Sequence, residues 1–197
     1  MKRALLIVGV QNDLCRRAHR GCEVAGPLSC LASAVEHAHG NVLVVREWHG
    51  DKSPYFVEGG GDLPSFCVAG TEGAAFHPDL HLSRQTRLTF RSRDPRELGP
   101  SAFRAIDRRG KPLLELLREL GVEGIFVGGN AAEGEVRATV LDALRQGFDV
   151  TVVQDGVGAI DEARGREVLF QLRLAGASVL SSGQAILGLY TSGEARL

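Results

Sequence analysis

The sequence lacks the features that would place it in several common functional classes. Its 23 basic residues, only three of them lysine, nearly balance 24 acidic residues and leave a net charge of −1. Such a balance gives no reason to expect nucleic acid or an anionic membrane as a partner. No internal repeat, low-complexity tract or domain linker divides the 197 residues. These absences favour one ordinary globular domain.

Long hydrophobic runs are missing too. No segment approaches the roughly 18 apolar residues that a membrane helix needs. The first apolar run ends at "QND", which is too early for a signal peptide with a cleavage site. We therefore expect a cytoplasmic protein with reduced cysteines. The cysteines are Cys15, Cys22, Cys30 and Cys67.

A metal site built on these cysteines is disfavoured. Cys15, His19 and Cys22 are close in sequence, but there is no CxxC pair and no second pair of ligands. The thiols are expected to be small apolar fillers or exposed groups, and not nucleophiles.

What the sequence contains is an alternation of apolar strands and amphipathic helices. Strand patterns occur at 4–10, 42–46, 87–90, 124–128, 149–154 and 178–181. Most are continuous and β-branched, which is typical of strands covered on both faces. Helical patterns lie between them at 27–39, 111–120, 133–147 and 161–175, the last capped by Asp161. The alternation predicts an α/β fold: a single domain over 1–197, with a parallel sheet of about six strands and helices on both faces in a Rossmann-like three-layer arrangement.

One connection, 47–86, is too long to be a simple turn and is predicted to form a lid or a wall of the site. In an open parallel sheet the site lies beyond the carboxyl ends of the strands. The segments predicted to contain it are Gly9–Leu14, Glu47–Phe56, Arg91–Phe103, Asn130–Glu135 and Asp155–Ile160.

These segments carry a family resemblance that extends over nearly the whole chain. The motifs are "ALLIVGVQNDLC", "REWHGDKSPYF", "FCVAGTEGAAFHPDL", "RSRDPRELGPSAF" and "GGNAAEGEVRATVLDALRQGFDVTVVQDGVGA". In order and spacing they resemble the isochorismatase-like hydrolases, and most closely the nicotinamidase branch. The resemblance implies the isochorismatase-like fold, homo-oligomers, and an amidase that uses an aspartate base, a lysine and a cysteine nucleophile.

Carried over position by position, the resemblance leaves none of these three catalytic residues. The aspartate position is Gly9, which cannot accept a proton. The lysine position is Arg91, which keeps the charge but does not deprotonate at an accessible pH. The nucleophile position is Glu135. These residues favour a protein that is not an active cysteine amidohydrolase.

The metal site that the resemblance implies is also depleted. Glu47 and His49 keep two possible ligands, whereas the remaining two positions are Ser53 and Phe66. Two ligands do not hold a divalent transition metal, so we expect neither a metal nor another cofactor.

Two interpretations of Glu135 remain open. In the first, Glu133 and Glu135 are acidic residues in the first turn of a helix, where exposed N–H groups favour negative charge. In the second, Glu135 faces Arg91 in the pocket as an acid, a base or a ligand-binding group. We expect a charge pair in which Glu135 is the nearest acid to Arg91 and its pKa is lowered.

The pocket is expected to be lined by Arg91, Glu135, Asp13, Trp48, Asn130 and Ala131. Asp13 either caps the first loop or serves as a displaced base, and Trp48 either lines the pocket or packs the loop.

Three functions follow. The favoured one is a pseudoenzyme with a binding, structural or regulatory role. The first alternative is a repurposed metal-free hydrolase or lyase that acts on a small molecule through Glu135 and Arg91. The second is a nucleotide-binding regulator on the same sheet. The expected partners are a small-molecule ligand and further copies of the chain, or an active paralogue.

Overall fold

The computed structural model describes residues 1–91 and 99–194. Its strands are β1 (Arg3–Val8), β2 (Asn41–Glu47), β3 (Arg87–Arg91), β4 (Gly124–Gly129), β5 (Asp149–Val157) and β6 (Ser178–Leu180). Its α-helices are α1 (Asn12–Arg17), α2 (Ala25–His37), α3 (Leu113–Glu119), α4 (Arg137–Arg145), α5 (Glu162–Leu174) and α6 (Ser182–Glu194). A π-helical turn, Ala132–Val136, leads into α4.

The strands form one six-stranded parallel sheet in the order β3-β2-β1-β4-β5-β6. The predicted fold class is confirmed. The order reverses between β1 and β4, so the chain has a topological switch point at their carboxyl ends, where sites in such sheets are found. Gly9 follows β1 and Asn130 follows β4, which places both residues at this point.

Helices cover both faces of the sheet, as predicted. On one face, α2 and α6 pack over side chains such as Leu5 and Ile7 of β1. On the other face, α3, α4 and α5 pack over Leu6 and Val127. All four side chains are fully buried, and burying a side chain of this size contributes about 1.5–3 kcal/mol. This two-sided burial is why the strands read as continuous apolar runs.

The helix boundaries largely follow the sequence signals. Asp161 caps α5 as predicted, because its side chain accepts a hydrogen bond from Arg164 N at 2.8 Å. Two helices, α1 and α6, were not predicted. In the part of the chain that the structure describes, no helix is long and apolar enough to cross a membrane.

The long connection between β2 and β3 has little regular structure beyond a single 3₁₀ turn at Val57–Gly59. Its residues contribute a wall to the cavity described below. Of the predicted site segment Arg91–Phe103, residues 92–98 lie outside the described part of the chain.

Candidate functional site

Arg91 and Glu47 are the last residues of two neighbouring strands. They are register partners in the parallel pair β2–β3, so both side chains leave the sheet at the same edge. The Arg91 guanidinium contacts Glu47 Oε1 through Nε and Nη2, and its Nη1 donates to the carbonyl oxygen of Gly99. Both charged side chains are almost fully buried. Burial at this depth is tolerated because the charges are paired and hydrogen-bonded.

Glu135 is the second acid on the same arginine. It lies in the π-helical turn after β4, and its Oε1 is 3.1 Å from Arg91 Nη2. The predicted Arg91–Glu135 charge pair is therefore confirmed. The expectation that Glu135 is the nearest acid to Arg91 is wrong, because Glu47 is closer. Glu135 Oε2 also accepts from Ala131 N at 3.3 Å, so the helix-start interpretation holds alongside the ion pair.

The two carboxylates have opposite pKa shifts. Burial raises the pKa of Glu47, but Arg91 and the nearby His49 together outweigh burial and hold the pKa below 4.5. For Glu135, burial is the largest influence and raises the pKa above 4.5 despite the attraction of Arg91. The predicted lowering of the Glu135 pKa is thus wrong. Desolvation exceeds the attraction of an arginine that a closer carboxylate already shares.

Gly9, the expected base position, has no room for a side chain. Its φ is +61°, in the left-handed region that disfavours residues with a Cβ atom. A Cβ atom at Gly9 would stand 2.5 Å from the backbone oxygen of Asn130. An aspartate would therefore require the two strand ends to move apart.

His49 is enclosed by aromatic rings. The centroids of Tyr55, Phe56 and Phe66 lie 5.6, 5.0 and 4.8 Å from the imidazole centroid. His49 Nδ1 lies 3.3 Å from Ser53 Oγ. Its Nε2 lies 3.2 Å from Oε2 of Glu47.

The metal that the nicotinamidase resemblance implies does not fit these residues. One imidazole remains, the Glu47 carboxylate is bound to a guanidinium, and Phe66 offers no donor atom. Within residues 1–91 and 99–194, no three His, Cys, Asp or Glu side chains are grouped to hold an ion. Catalytic zinc sites ordinarily use three protein ligands.

The cluster opens onto a small cavity of about 170 Å³. Its charged floor consists of Glu47, Arg91 and Glu135, and Glu135 is the most exposed of the three. The remaining walls are His49, Tyr55, Leu63, Phe66, Gly99 and Pro100. The cavity therefore offers a carboxyl group opposite aromatic and apolar surfaces.

Asp13 and Trp48, two of the residues predicted to line the pocket, do not line this cavity. Asp13 Oδ2 accepts from Cys67 N at 2.8 Å and ties α1 to the long connection. Trp48 packs edge-on against Phe90, with the Arg46 guanidinium 4.1 Å from the centroid of its ring. Trp48 thus follows the loop-packing alternative.

Asn130 and Ala131 also lie outside the cavity lining. The peptide bond between them is cis. The Asn130 side chain is buried and donates to the carbonyl oxygen of Gly21 at 3.0 Å. Ala131 contacts the site only through the hydrogen bond from its backbone N–H to Glu135.

Glu133 binds N–H groups of another segment and not those of the helix that it begins. Its carboxylate accepts from the backbone N–H groups of Ile160 and Asp161.

The nearby thiols are poorly suited to nucleophilic attack. Burial, together with Glu47 and Asp13, raises the pKa of the Cys67 thiol. Burial also raises the pKa of Cys15, to about 12. Neither thiol is therefore appreciably ionised at neutral pH, as a cysteine nucleophile must be.

Sequence reasoning missed two residues of this site. The sequence indicates Glu47 only as a metal position, although it ends β2 as Arg91 ends β3, which is a signal for a cross-strand pair. No sequence motif distinguishes Tyr55 from its neighbours. Its hydroxyl accepts a hydrogen bond from Gly99 N at 3.1 Å and so positions Gly99 beside Arg91.

Comparisons with known proteins agree with the fold and the resemblance. Residues 3–184 match the model of the isochorismatase domain family. The chain is 32% identical to the nicotinamidase/pyrazinamidase of Mycobacterium tuberculosis, over 91% of this chain and 99% of the relative. It is 28% identical to the nicotinamidase of Escherichia coli, over 81% of this chain and 84% of that protein.

Solved structures give the same picture. The pyrazinamidase of Pyrococcus horikoshii, crystallised in complex with zinc, superposes with a TM-score of 0.83 at 26% identity. The match covers 92% of this chain and 99% of that one. The PnC1 protein of L. infantum, in complex with nicotinate, has a TM-score of 0.71 at 27% identity and covers 92% and 93% of the two chains.

Proposed function

The chain belongs to the isochorismatase family, and we propose that within this family it is a pseudoenzyme that binds a small molecule and does not perform cysteine-dependent amide hydrolysis. The names of its relatives make nicotinamide hydrolysis the first activity to test. Two features oppose that activity: Glu135 stands at the expected nucleophile position, and the turn at Gly9 excludes an acid there.

The observation that carries the proposal is the arrangement of Glu135 in the cavity. Its side chain is 20% exposed, whereas that of Arg91, its partner, is 7% exposed. A ligand that enters the cavity thus meets the Glu135 carboxyl group first. Tyr55 and Phe66 lie in the walls of the same cavity. Aromatic faces and a carboxylate together favour a planar ligand that carries positive charge or N–H donors.

The experiment compares nicotinamide with its amidine analogue, pyridine-3-carboxamidine, which has a similar shape but carries a positive charge. We expect the amidine to bind at least about tenfold more tightly by calorimetry, because a charge-assisted hydrogen bond to Glu135 is stronger than a neutral one. Glu135→Gln should remove this preference, whereas Glu133→Gln, which changes an acid outside the cavity, should retain it.

The activity measurement is ammonia release from nicotinamide and pyrazinamide, with the M. tuberculosis relative assayed in parallel. The expected rate for this chain is the uncatalysed background. Ammonia release that scales with protein concentration and persists through a second purification would overturn the proposal. Equal binding of the two analogues would overturn its ligand class alone.

A second candidate function is favoured by one observation. Because burial raises the pKa of Glu135, this carboxyl group is closer to the state that a general acid requires than the sequence indicated. A metal-free lyase or hydrolase acting through Glu135 and Arg91 would use it to protonate a leaving group. Turnover of a small molecule that Glu135→Gln abolishes and Glu133→Gln retains would establish this alternative.

The expected setting is the cytoplasm, as an oligomer of this chain or an assembly with an active paralogue.

A further inference from the structure

Cys15 and Cys22 lie on the two sides of a tight turn, away from the cavity. Cys15 is buried in α1, and Cys22 is exposed. Between them Gly21 N donates to Ala18 O at 3.0 Å. The turn is so close that a Cβ atom on Gly21 would stand 2.4 Å from the carbonyl oxygen of Cys15. The chain thus folds back directly onto Cys15 just before Cys22.

The side-chain amide of Asn130 fixes the direction of the buried thiol. Its Nδ2 lies 3.5 Å from Cys15 Sγ and 3.0 Å from Gly21 O. Cys15 Sγ therefore faces the turn that leads to Cys22. The Cys22 thiol adds to burial in raising the pKa of the Cys15 thiol, in agreement with this turn geometry.

Cys22 also borders a surface groove of about 380 Å³. This volume lies in the range of small-molecule sites, about 300–1,000 Å³. The groove is lined by Asn12, Arg16, Glu72, Phe76, His77 and Pro78 beside the cysteine. A small peptide disulfide can reach Cys22 here, and Arg16, which also pairs with Glu72 at 3.1 Å, offers a cation to its carboxylates.

We propose that Cys15 and Cys22 form an intramolecular disulfide by exchange with a small disulfide such as oxidised glutathione. The Cys22 thiolate attacks one sulfur of glutathione disulfide and forms a mixed disulfide, and the first glutathione leaves as a thiolate that takes up a proton. Cys15 then loses its proton to solvent and attacks the Cys22 sulfur, which releases the second glutathione. The two cysteines are oxidised, and one glutathione disulfide is reduced to two thiols.

The burial of Cys15 sets the speed of the second step. Only the thiolate attacks, and burial, the largest cause that raises the pKa of the Cys15 thiol, still acts in the mixed disulfide and keeps this thiol mostly protonated at neutral pH. Ring closure should therefore be slow at pH 7 and accelerate about tenfold for each added pH unit. The product closes a loop between Cys15 and Cys22. This loop lowers the conformational entropy of the unfolded chain and should therefore raise the melting temperature.

The test is incubation of the full chain with oxidised glutathione, followed by intact-mass measurement and peptide mapping. In a Cys30→Ser background, which removes the other exposed cysteine, we expect the loss of two hydrogens per chain and a cross-linked peptide pair containing Cys15 and Cys22. Cys15→Ser should stop at the Cys22 mixed disulfide, and Cys22→Ser should form no cross-link. The chain with Cys30 intact should form the same cross-link and differ only by one further glutathione on this exposed cysteine.

Three outcomes would overturn the proposal. One is a wild-type chain that stops at the mixed disulfide at every pH up to 9. Another is a cross-link that survives Cys22→Ser. The third is a Cys15–Cys22 cross-link that forms only in denaturant, which would mean that the folded turn keeps the thiols apart. Unchanged melting of Cys22→Ser before oxidation establishes that this variant is folded.

Discussion

Nη2 of Arg91 lies 3.1 Å from Oε1 of Glu135, yet this contact is the weaker of the two ion pairs of that arginine. The guanidinium contacts Glu47 through both Nε and Nη2. Glu47 is also the more deeply buried acid, and its pKa is lowered whereas that of Glu135 is raised. The two glutamates therefore differ in their surroundings: Glu47 neutralises Arg91, and Glu135 faces the cavity.

The first expectation compares the two acids by the same substitution. Glu47→Gln should lower the free energy of unfolding by about 3–5 kcal/mol, because it removes the closest counter-charge of a buried arginine. Glu135→Gln should change it by no more than about 1 kcal/mol at pH 7, because Arg91 keeps Glu47 and the ionised Glu135 is itself disfavoured by burial. Urea denaturation measures both values.

Arg91→Met supplies the control for this comparison. Combined with Glu47→Gln, it should cost less than the sum of the two single changes, since neither charge is then left buried alone. Equal effects of Glu47→Gln and Glu135→Gln would contradict the assignment of roles.

The second expectation concerns pH. The folded-state pKa of Glu135 is raised above 4.5, so the folded chain binds this proton more tightly than the unfolded chain. Its contribution to stability is present below pH 4.5 and is lost as the pH rises through the raised pKa. Glu47 has the opposite sign: its contribution is present above pH 4.5 and is lost as the pH falls through its lowered pKa.

Urea denaturation of wild type and Glu135→Gln between pH 4 and pH 8 isolates the Glu135 contribution. The stability of wild type relative to the variant should fall as the pH rises. A difference that grows with pH would mean that Arg91 dominates Glu135 and that its pKa is lowered.

The third expectation concerns Gly9. Gly9→Ala should destabilise the fold by about 2–4 kcal/mol, because it adds backbone strain and a clash with the Asn130 carbonyl. Gly60 also has a positive φ, +93°, but a Cβ atom there meets nothing within 4 Å. Gly60→Ala should therefore cost only the strain, about 1–2 kcal/mol. Thermal or urea denaturation of both variants separates the two causes, and similar costs would show that the close approach at Gly9 is relieved easily.

The fourth expectation concerns metal. After dialysis against buffer without chelator, elemental analysis should find well under one zinc, iron or manganese per chain, because the described donors are one imidazole and a carboxylate bound to arginine. The Pyrococcus pyrazinamidase, which was crystallised with zinc, is the positive control. Stoichiometric metal that disappears in His49→Ala would show that the arginine does not exclude an ion.

The fifth expectation concerns assembly. Light scattering should give a mass above the 21.1 kDa of one chain. Helix α5 presents Phe170 and Leu174, 59% and 73% exposed, four residues apart and hence on one helix face. Replacing both by glutamate should reduce the mass to that of a monomer. Val57→Glu, a change at another exposed apolar residue, should leave the assembly intact, and a monomeric wild type would refute the expectation.

The sheet could be predicted from sequence because strands buried on both faces leave an unbroken apolar pattern. Helix α6 could not, because Gly183, Gly188 and Thr191 lower its intrinsic helix propensity. Packing against α2 and the sheet stabilises it instead. Helix α1 has six residues, with one buried side chain, Cys15, and is too short to show a helical period.

The location of the site could be predicted from the sequence, but the pairing of its charged groups and their pKa shifts could not. The motif order brought Arg91 and Glu135 to one cleft, and the structure confirms their contact. The preference of Arg91 for Glu47 depends on the register of β2 against β3. The raised pKa of Glu135 depends on the depth of its burial. Neither the β2–β3 register nor the burial of Glu135 can be deduced from the spacing of residues along the chain.

Strand β3 has five residues and lies at one of the two edges of the sheet, where β2 is its neighbouring strand in the described part of the chain. Edge strands are among the first parts of a fold to open, and amide hydrogen exchange reports that opening. The contacts of Arg91 with Glu47 fall on the last register pair of β3, and Trp48 N donates to Arg91 O at 3.2 Å. Detachment of this strand end therefore breaks the Arg91–Glu47 contacts that form the charged floor of the cavity. A ligand that holds Glu135 and Arg91 in place must also slow exchange at the backbone amides of β3, so occupancy of the cavity can be read from the edge of the sheet.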